Sequence, residues 1–104
     1  MGKAIKVRAK VKGDIAEVKA LMPHDMESGR RRDPETNELV PAHHITDVVV
    51  EHNGETVLTA YWSTAVSKNP YLAFSFSGAT AGDKIVIRWR DNSGDSSEIE
   101  AILK

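Results

Sequence analysis

The chain has 104 residues, of which 40% are hydrophobic and 28% are charged, and its formal net charge at pH 7 is -1. This length predicts one soluble domain, residues 1–104, with a single core. The near-neutral charge argues against nucleic acid and against an anionic membrane surface as partners, because proteins that bind these polyanions usually carry an excess of basic residues. The sequence contains no cysteine, which excludes disulfides, thiolate metal sites and thiol nucleophiles.

The N-terminal segment alternates apolar and polar residues with a period of two. Residues 4–12 alternate apolar side chains with lysine and arginine, which predicts a half-buried strand with an outward basic face. A turn signal at Gly13 and Asp14 separates it from a second alternating run, which ends at Pro23 because proline cannot donate to a sheet ladder. Nothing in this segment has the apolar length that a signal peptide or a membrane span needs.

Five further β-rich runs follow. Two of them flank Asn53 and Gly54, the pair that best accepts the two positive φ angles of a type I′ turn, and so predict a hairpin. Residues 71–77 and 83–91 alternate large apolar with small or charged residues, and residues 96–103 pair back on the run before them. Short strands with turn chemistry between them, and no sustained helical period, predict an all-β fold: an immunoglobulin-like antiparallel β-sandwich of about seven strands.

The charges of the first and last runs suggest how the sheets are ordered. Lys6, Arg8 and Lys10 form the basic outer face of the first strand, and Glu98 and Glu100 lie on the last. First and last strands are often neighbours in such sandwiches, and opposite charges across a strand pair are favourable. We therefore expect these two strands to lie side by side.

The connection at about residues 23–45 is far longer than a small domain needs, and long loops without secondary structure are usually functional. It carries Arg30, Arg31 and Arg32, whose guanidinium groups can hold an oxyanion, dock a partner, or staple the loop through salt bridges. All three interpretations stay open. The acidic residues around the cluster are Asp25, Glu27, Asp33 and Glu35.

Sequence motifs for chemistry are missing. The four histidines, His24, His43, His44 and His52, are candidate metal ligands, but no HxH or HxxxH pair occurs. Surface or loop-packing roles are favoured, and no metal site is predicted; a metalloprotein is kept as an alternative. Without G-x-S-x-G, G-x-G-x-x-G or a P-loop, we predict no catalytic residue, no cofactor and no enzyme activity.

The hairpin strands are apolar on both faces, although only one face of each sheet meets the core of a sandwich. Tyr61 and Val49 represent one face, and Trp62 represents the other. The second face therefore needs a cover, which is either the long loop, through its apolar residues Met26, Leu39, Val40 and Ile45, or another polypeptide. The predicted partner-interface residues are Arg30, Arg31, Arg32, Leu39, Val40, Val49, Tyr61 and Trp62.

Several separate stretches carry a family likeness. Residues 24–33 are similar to an H-P-x-E-x-G-x-R-x-D loop, with aspartate in place of the proline; Leu-Val-Pro-Ala at 39–42, Asn-Pro at 69–70 and a D-x-x-G-D turn at 91–95 follow at consistent spacing. Together they resemble the SoxZ family, the smaller subunit of the SoxYZ sulfur carrier of bacterial thiosulfate oxidation. The likeness runs from about Gly13 to the C-terminus.

This resemblance implies a noncatalytic subunit that forms a heterodimer with SoxY. In the family, SoxY bears a cysteine on a flexible, glycine-rich C-terminal arm, and sulfur intermediates stay attached to it while cytochrome, hydrolase and dehydrogenase partners act in turn. Transient contact with those enzymes is implied, as is a periplasmic location reached by co-export with a SoxY that bears the signal. The alternative is a stand-alone immunoglobulin-like module that binds a ligand such as a carbohydrate.

Overall fold

A computed structural model describes residues 4–24, 26–63, 66 and 69–104; Asp25, one of the acidic residues predicted to flank the arginine cluster, lies outside them. Within these ranges the chain forms seven strands and no helix, so none is available to cross a membrane. The strands are β1 (Lys6–Lys12), β2 (Ile15–Leu21), β3 (Ile45–His52), β4 (Glu55–Tyr61), β5 (Tyr71–Ser77), β6 (Lys84–Asp91) and β7 (Ser96–Ile102).

The strands form two antiparallel sheets. One sheet has the order β1-β2-β5, and the other has the order β4-β3-β6-β7. Both Asn53 and Gly54 have positive φ angles, 48° and 90°, as the predicted hairpin between β3 and β4 requires. The predicted all-β sandwich is confirmed.

The core lies between the inner faces of the two sheets. It is built by the alternate residues of β2, β3 and β6, which a period of two points to the same side. Trp89 at 1% and Met22 at 0% exposure are the largest of the fully buried side chains. Met22 follows β2, and the core members of the three strands besides Trp89 are Ala16, Val18, Ala20, Ile45, Val48, Val50, Ile85 and Ile87.

The first and last strands do adjoin, as edge strands of different sheets, and the N–H of Val11 donates to the carbonyl of Lys104, just past β7, at 2.9 Å. The expected charge pairs between them, however, do not form among the described residues. β1 pairs with β2, where Lys10 Nζ lies 3.5 Å from Glu17 Oε2. β7 pairs with β6 in the other sheet, where Arg88 Nη1 donates to Glu98 Oε1 at 3.0 Å. Each strand takes its charged partner from the strand that precedes or follows it in the chain, because a short turn fixes that register at little entropic cost.

The outer face of the four-stranded sheet keeps its apolar side chains exposed. Tyr61 is 83% exposed and Val57 is 38% exposed. Met26 of the long connection and Ile45, the first residue of β3, are buried in the core instead, and Leu39 is itself 54% exposed. The long connection therefore leaves Tyr61 uncovered.

Candidate functional site

Both ends of the long connection, residues 22–44, meet the end of β6. His24 lies just after β2, His43 lies just before β3, and Asp91 is the last residue of β6. The order β3-β6 within one sheet, with the β2 sheet stacked above, is what brings the three residues together. We call these three residues the clasp.

Two imidazoles share one carboxylate oxygen in the clasp. His24 Nε2 lies 3.0 Å from Asp91 Oδ2, and His43 Nε2 lies 2.8 Å from the same atom. The backbone N–H of Met26 donates to His24 Nδ1 at 3.0 Å. Because Nδ1 is an acceptor, the proton of a neutral His24 ring is on Nε2, and this nitrogen donates to Asp91.

The second oxygen of Asp91 is equally well satisfied. Oδ1 accepts the N–H of Ser93 at 3.0 Å, the hydroxyl of Ser93 at 2.7 Å and the N–H of Asp95 at 2.9 Å. Burial by itself raises the pKa of Asp91, but hydrogen bonds from His24, Ser93, His43 and the Asp95 backbone outweigh it and hold that pKa well below 3.8. Asp91 is therefore an ionised carboxylate with 0% side-chain exposure.

His24 connects the clasp to the core and to the segment before β5. Its ring makes an edge contact with Trp89, with centroids 5.1 Å apart, and a tilted contact with His43 at 4.5 Å. Its backbone N–H donates to Asn69 Oδ1 at 3.1 Å, and Asn69 N–H donates back to the His24 carbonyl at 2.9 Å. Residues 24, 69 and 91 come from three separate stretches of the family likeness, and the fold joins them at one corner.

The clasp offers metal-ligating atoms that all lie within 4.8 Å of one another. An imidazole ligates through a nitrogen that carries no proton. For His24 Nε2 to ligate, the proton would have to leave or move to Nδ1, where it would displace the Met26 hydrogen bond at 3.0 Å. The hydrogen bonds therefore favour a clasp over a metal centre.

Ser93 next to the clasp does not complete a hydrolase triad. Its Oγ lies 3.4 Å from His43 Nε2, but that nitrogen already faces Asp91. In a triad the base uses one ring nitrogen for the nucleophile and the other for the acid. Ser93 Oγ also donates to Asp91 at 2.7 Å, so its proton is engaged.

The tip of the loop is held by exposed pairs. Arg31 binds Glu27 through two nitrogens, Nη2 at 2.8 Å and Nε at 3.0 Å. Arg32 Nη1 donates to the carbonyl of Asn37 at 2.8 Å. Backbone bridges join 27 to 43 and 32 to 39, which makes the loop a narrow ribbon. Stapling, one of the three predicted roles of the arginines, accounts for these two.

The predicted partner-interface residues fall into two groups, one on the loop and one on the β3–β4 hairpin. Five lie on the loop, namely Arg30, Arg31, Arg32, Leu39 and Val40. Val40 is half-buried and lines an open groove that also contains His43 and Ser93. On the sheet, Val49 is half-buried and Tyr61 is exposed on the outer face, while Trp62 packs against the core. Their role in binding stays a prediction.

The clasp itself was not predicted from the sequence. His24 and Asp91 are 67 residues apart, and His43 gave no spacing signal with either. The available signal was that residues 24 and 91 both belong to the stretches that carry the family likeness. Only the order of the strands shows that these stretches meet.

The fold and the clasp together define a class: a two-sheet antiparallel sandwich whose long β2–β3 loop is tied to the end of β6. The family model of the sulphur oxidation protein SoxZ matches residues 5–101, nearly the whole chain. The chain therefore belongs to the SoxZ family and is a sulfur oxidation protein.

Solved structures agree with the fold. A hypothetical protein from Pyrococcus horikoshii OT3 is 18% identical with a TM-score of 0.66, covering 98% of this chain and 87% of that one. A superoxide reductase in the oxidized state is 16% identical with a TM-score of 0.62, covering 97% of this chain and 87% of its own. These likenesses concern the fold alone. Among curated proteins no match is found.

Proposed function

We propose that this chain is the noncatalytic subunit of a SoxYZ carrier and forms a heterodimer with SoxY. One observation carries the proposal: a member of the SoxZ family, a sulfur oxidation family, has no cysteine among its 104 residues. Covalent carriage of sulfur needs a thiol, so the carrier cysteine has to come from a partner. In the family that partner is SoxY, with its cysteine on a glycine-rich C-terminal arm.

The surface supports pairing with another polypeptide. Tyr61 is 83% exposed on β4, an edge strand. Tyrosine is enriched at protein interfaces because its ring buries a large apolar area while its hydroxyl stays hydrogen-bonded. Val57 on the same face and Leu39 on the loop add apolar area at 38% and 54% exposure. SoxY is the proposed cover.

The site supports a noncatalytic role. A catalytic group has to reach substrate with a free acceptor or donor, and Asp91 instead has both of its oxygens occupied within the protein. Enzyme partners, a cytochrome, a hydrolase and a dehydrogenase, would act on the cysteine of SoxY while this chain supports it. The dimer is proposed to work in the periplasm after co-export with a signal-bearing SoxY.

The test is purification of the tagged chain from its source cell together with an untagged companion. We expect a stoichiometric protein that ends in a glycine-flanked cysteine, identified by mass spectrometry, and we expect the pair in the periplasmic fraction. A Tyr61→Glu variant should recover less of the companion, while Lys84→Glu at the far end of the same sheet should recover a normal amount. A chain that is monodisperse alone, with no such companion, would contradict the proposal.

A further inference from the structure

The outer face of the three-stranded sheet is strongly basic. Its β1 and β2 strands point five cations outward and only one carboxylate, Glu17, while the outward residues of β5 carry no charge. The whole chain, by contrast, has a formal net charge of -1. We call this surface the basic face, and its cations are Lys6, Arg8, Lys10, Lys12 and Lys19.

Most of these cations have no carboxylate partner in the part of the chain that the structure describes. Lys10 pairs with Glu17 at 3.5 Å. Within the described residues, Lys6, Arg8, Lys12 and Lys19 make no ion pair. Arg8 lies directly opposite Lys19 in the β1–β2 register. Like charges in opposite positions destabilise a strand pair, so the fold carries an unfavourable contact here.

The outer face of the other sheet is built differently. Each cation of β6 that points outward has a carboxylate partner on a neighbouring strand. The pairs are Lys84 with Glu100 at 3.9 Å, Arg88 with Glu98 at 3.0 Å, and Arg90 with Asp47 at 3.2 Å. Unpaired positive charge is therefore a property of one face and not of the strands in general.

Protection of an exposed sheet edge explains only part of the basic face. Lysines on an edge strand prevent pairing with other chains, and β1 is an edge strand. Lys19, however, lies on β2, the central strand of its sheet. A hollow beside it is lined by Lys6, Arg8, Lys19, Leu21 and Tyr71, and it combines three cations with an aromatic ring that is 59% exposed.

We propose that the basic face docks the acidic surface of a protein partner, whose carboxylates lie between Arg8 and Lys19. Carboxylates of such a partner would offset the repulsion between Arg8 and Lys19. Complementary charge also speeds the association of the partner with this chain. Lysine is depleted in the cores of permanent interfaces, so this contact is transient and separate from the SoxY interface. The identity of the partner rests on the proposed function: it is one of the enzymes that visit the carrier.

Nucleic acid fits this face less well. Proteins that hold single strands place several aromatic rings along a basic groove, and on the basic face Tyr71 is the aromatic residue among the outward side chains of the three strands. An anionic membrane attracts clusters of basic residues on a helix or next to a span, and the described chain has no helix.

The test uses the full, isotope-labelled chain and amide chemical-shift mapping during titration with a polyglutamate peptide. We expect shifts confined to β1, β2 and β5, with affinity at least about tenfold weaker in about 300 mM than in about 20 mM NaCl. Oligothymidylate and phosphatidylserine vesicles serve as rival probes. Tighter binding of either, or shifts centred on the loop arginines, would overturn the proposal.

Charge-reversal variants separate the two sheets. Arg8→Glu with Lys19→Glu should weaken peptide binding at least about tenfold, whereas Lys84→Glu with Arg90→Glu, which changes net charge equally, should change it less than about twofold. If both double variants weakened peptide binding equally, the basic face would not be the docking surface. Arg8→Gln with Lys19→Gln repeats the test without reversal.

The same mapping in the SoxY complex separates this inference from the proposed function. If SoxY itself shifts the amides of β1 and β2, the basic face belongs to the permanent interface and the inference fails while the proposed function stands. If no SoxY complex forms, the proposed function fails, and the titration of the free chain still tests the face.

Discussion

The two parts of the long loop are held in opposite ways. At its base, His24 and His43 bind one buried carboxylate, Asp91, whose side chain is 0% exposed. At its tip, Arg31 binds Glu27 with a side chain that is 56% exposed. A buried charge is costly once a partner is lost, whereas an exposed ion pair contributes little. The base therefore contributes more to holding the loop in place than the tip does.

The base and the middle of the loop also differ in what they contact. Its ends are joined to β6 and to the core through Trp89 and Met26, so the base is part of the structural unit. Its middle presents charged and apolar side chains to solvent beside the groove at His43. A rigid base with an exposed tip is the arrangement by which proteins commonly position binding residues.

The largest expected effect comes from removing the shared carboxylate. Asp91→Ala should lower the free energy of unfolding by about 3–5 kcal/mol, because two imidazoles and the turn after β6 lose their acceptor together. Urea unfolding followed by tryptophan fluorescence measures it. The matched control is Asp83→Ala. It removes a more exposed carboxylate, whose Oδ2 lies 2.8 Å from His52 Nε2. Its cost should be clearly smaller, because a more exposed carboxylate and its partner are solvated when separated; equal costs would contradict the contrast.

Acid should weaken the base of the loop. The hydrogen bonds hold the pKa of Asp91 below 3.8, so the unfolded state takes up its proton first as the pH falls. The contribution of Asp91 is thus complete well above pH 3.8 and is progressively lost below it. We expect the stability difference between the wild type and Asp91→Asn to narrow below about pH 4. Urea unfolding across a pH series measures this, and a constant difference would exclude the mechanism.

Most of the fold could be predicted because its signals are local. The alternation in β1 and β2 and the Asn53–Gly54 turn depend on neighbours in the chain, and the structure confirms them. The expected charge pairs between β1 and β7 are wrong because charge compatibility does not specify a partner: Glu98 was equally compatible with Arg88, which it contacts. Exposed pairs are too weak to set the order of strands.

The clasp could not be predicted because it depends on strand order and on hydrogen-bond direction. The sequence shows His24, His43 and Asp91 as separate residues, and only the sheet order brings them within 3.0 Å contacts. The Met26 N–H that fixes the proton on His24 is likewise visible only in three dimensions. The arginines of the tip were conspicuous in sequence, yet two of them bind groups within the loop.

The smallest effect on stability is expected at the tip. Replacing Arg30, Arg31 and Arg32 together by alanine should change the free energy of unfolding by less than about 1 kcal/mol, since exposed pairs contribute little. If the tip docks SoxY or a later enzyme, the same variant should weaken that binding by about threefold to tenfold, mainly through slower association at low salt. Surface plasmon resonance across a salt series measures both rates. The triple lysine variant is the control, because it keeps the charge and loses the paired geometry of guanidinium. If the lysine variant restores the association rate, the tip acts by electrostatic steering of the partner. If it does not, the arginines make a geometrically specific contact with the partner. Unchanged affinity and turnover in the alanine variant would show that the tip has no role in docking.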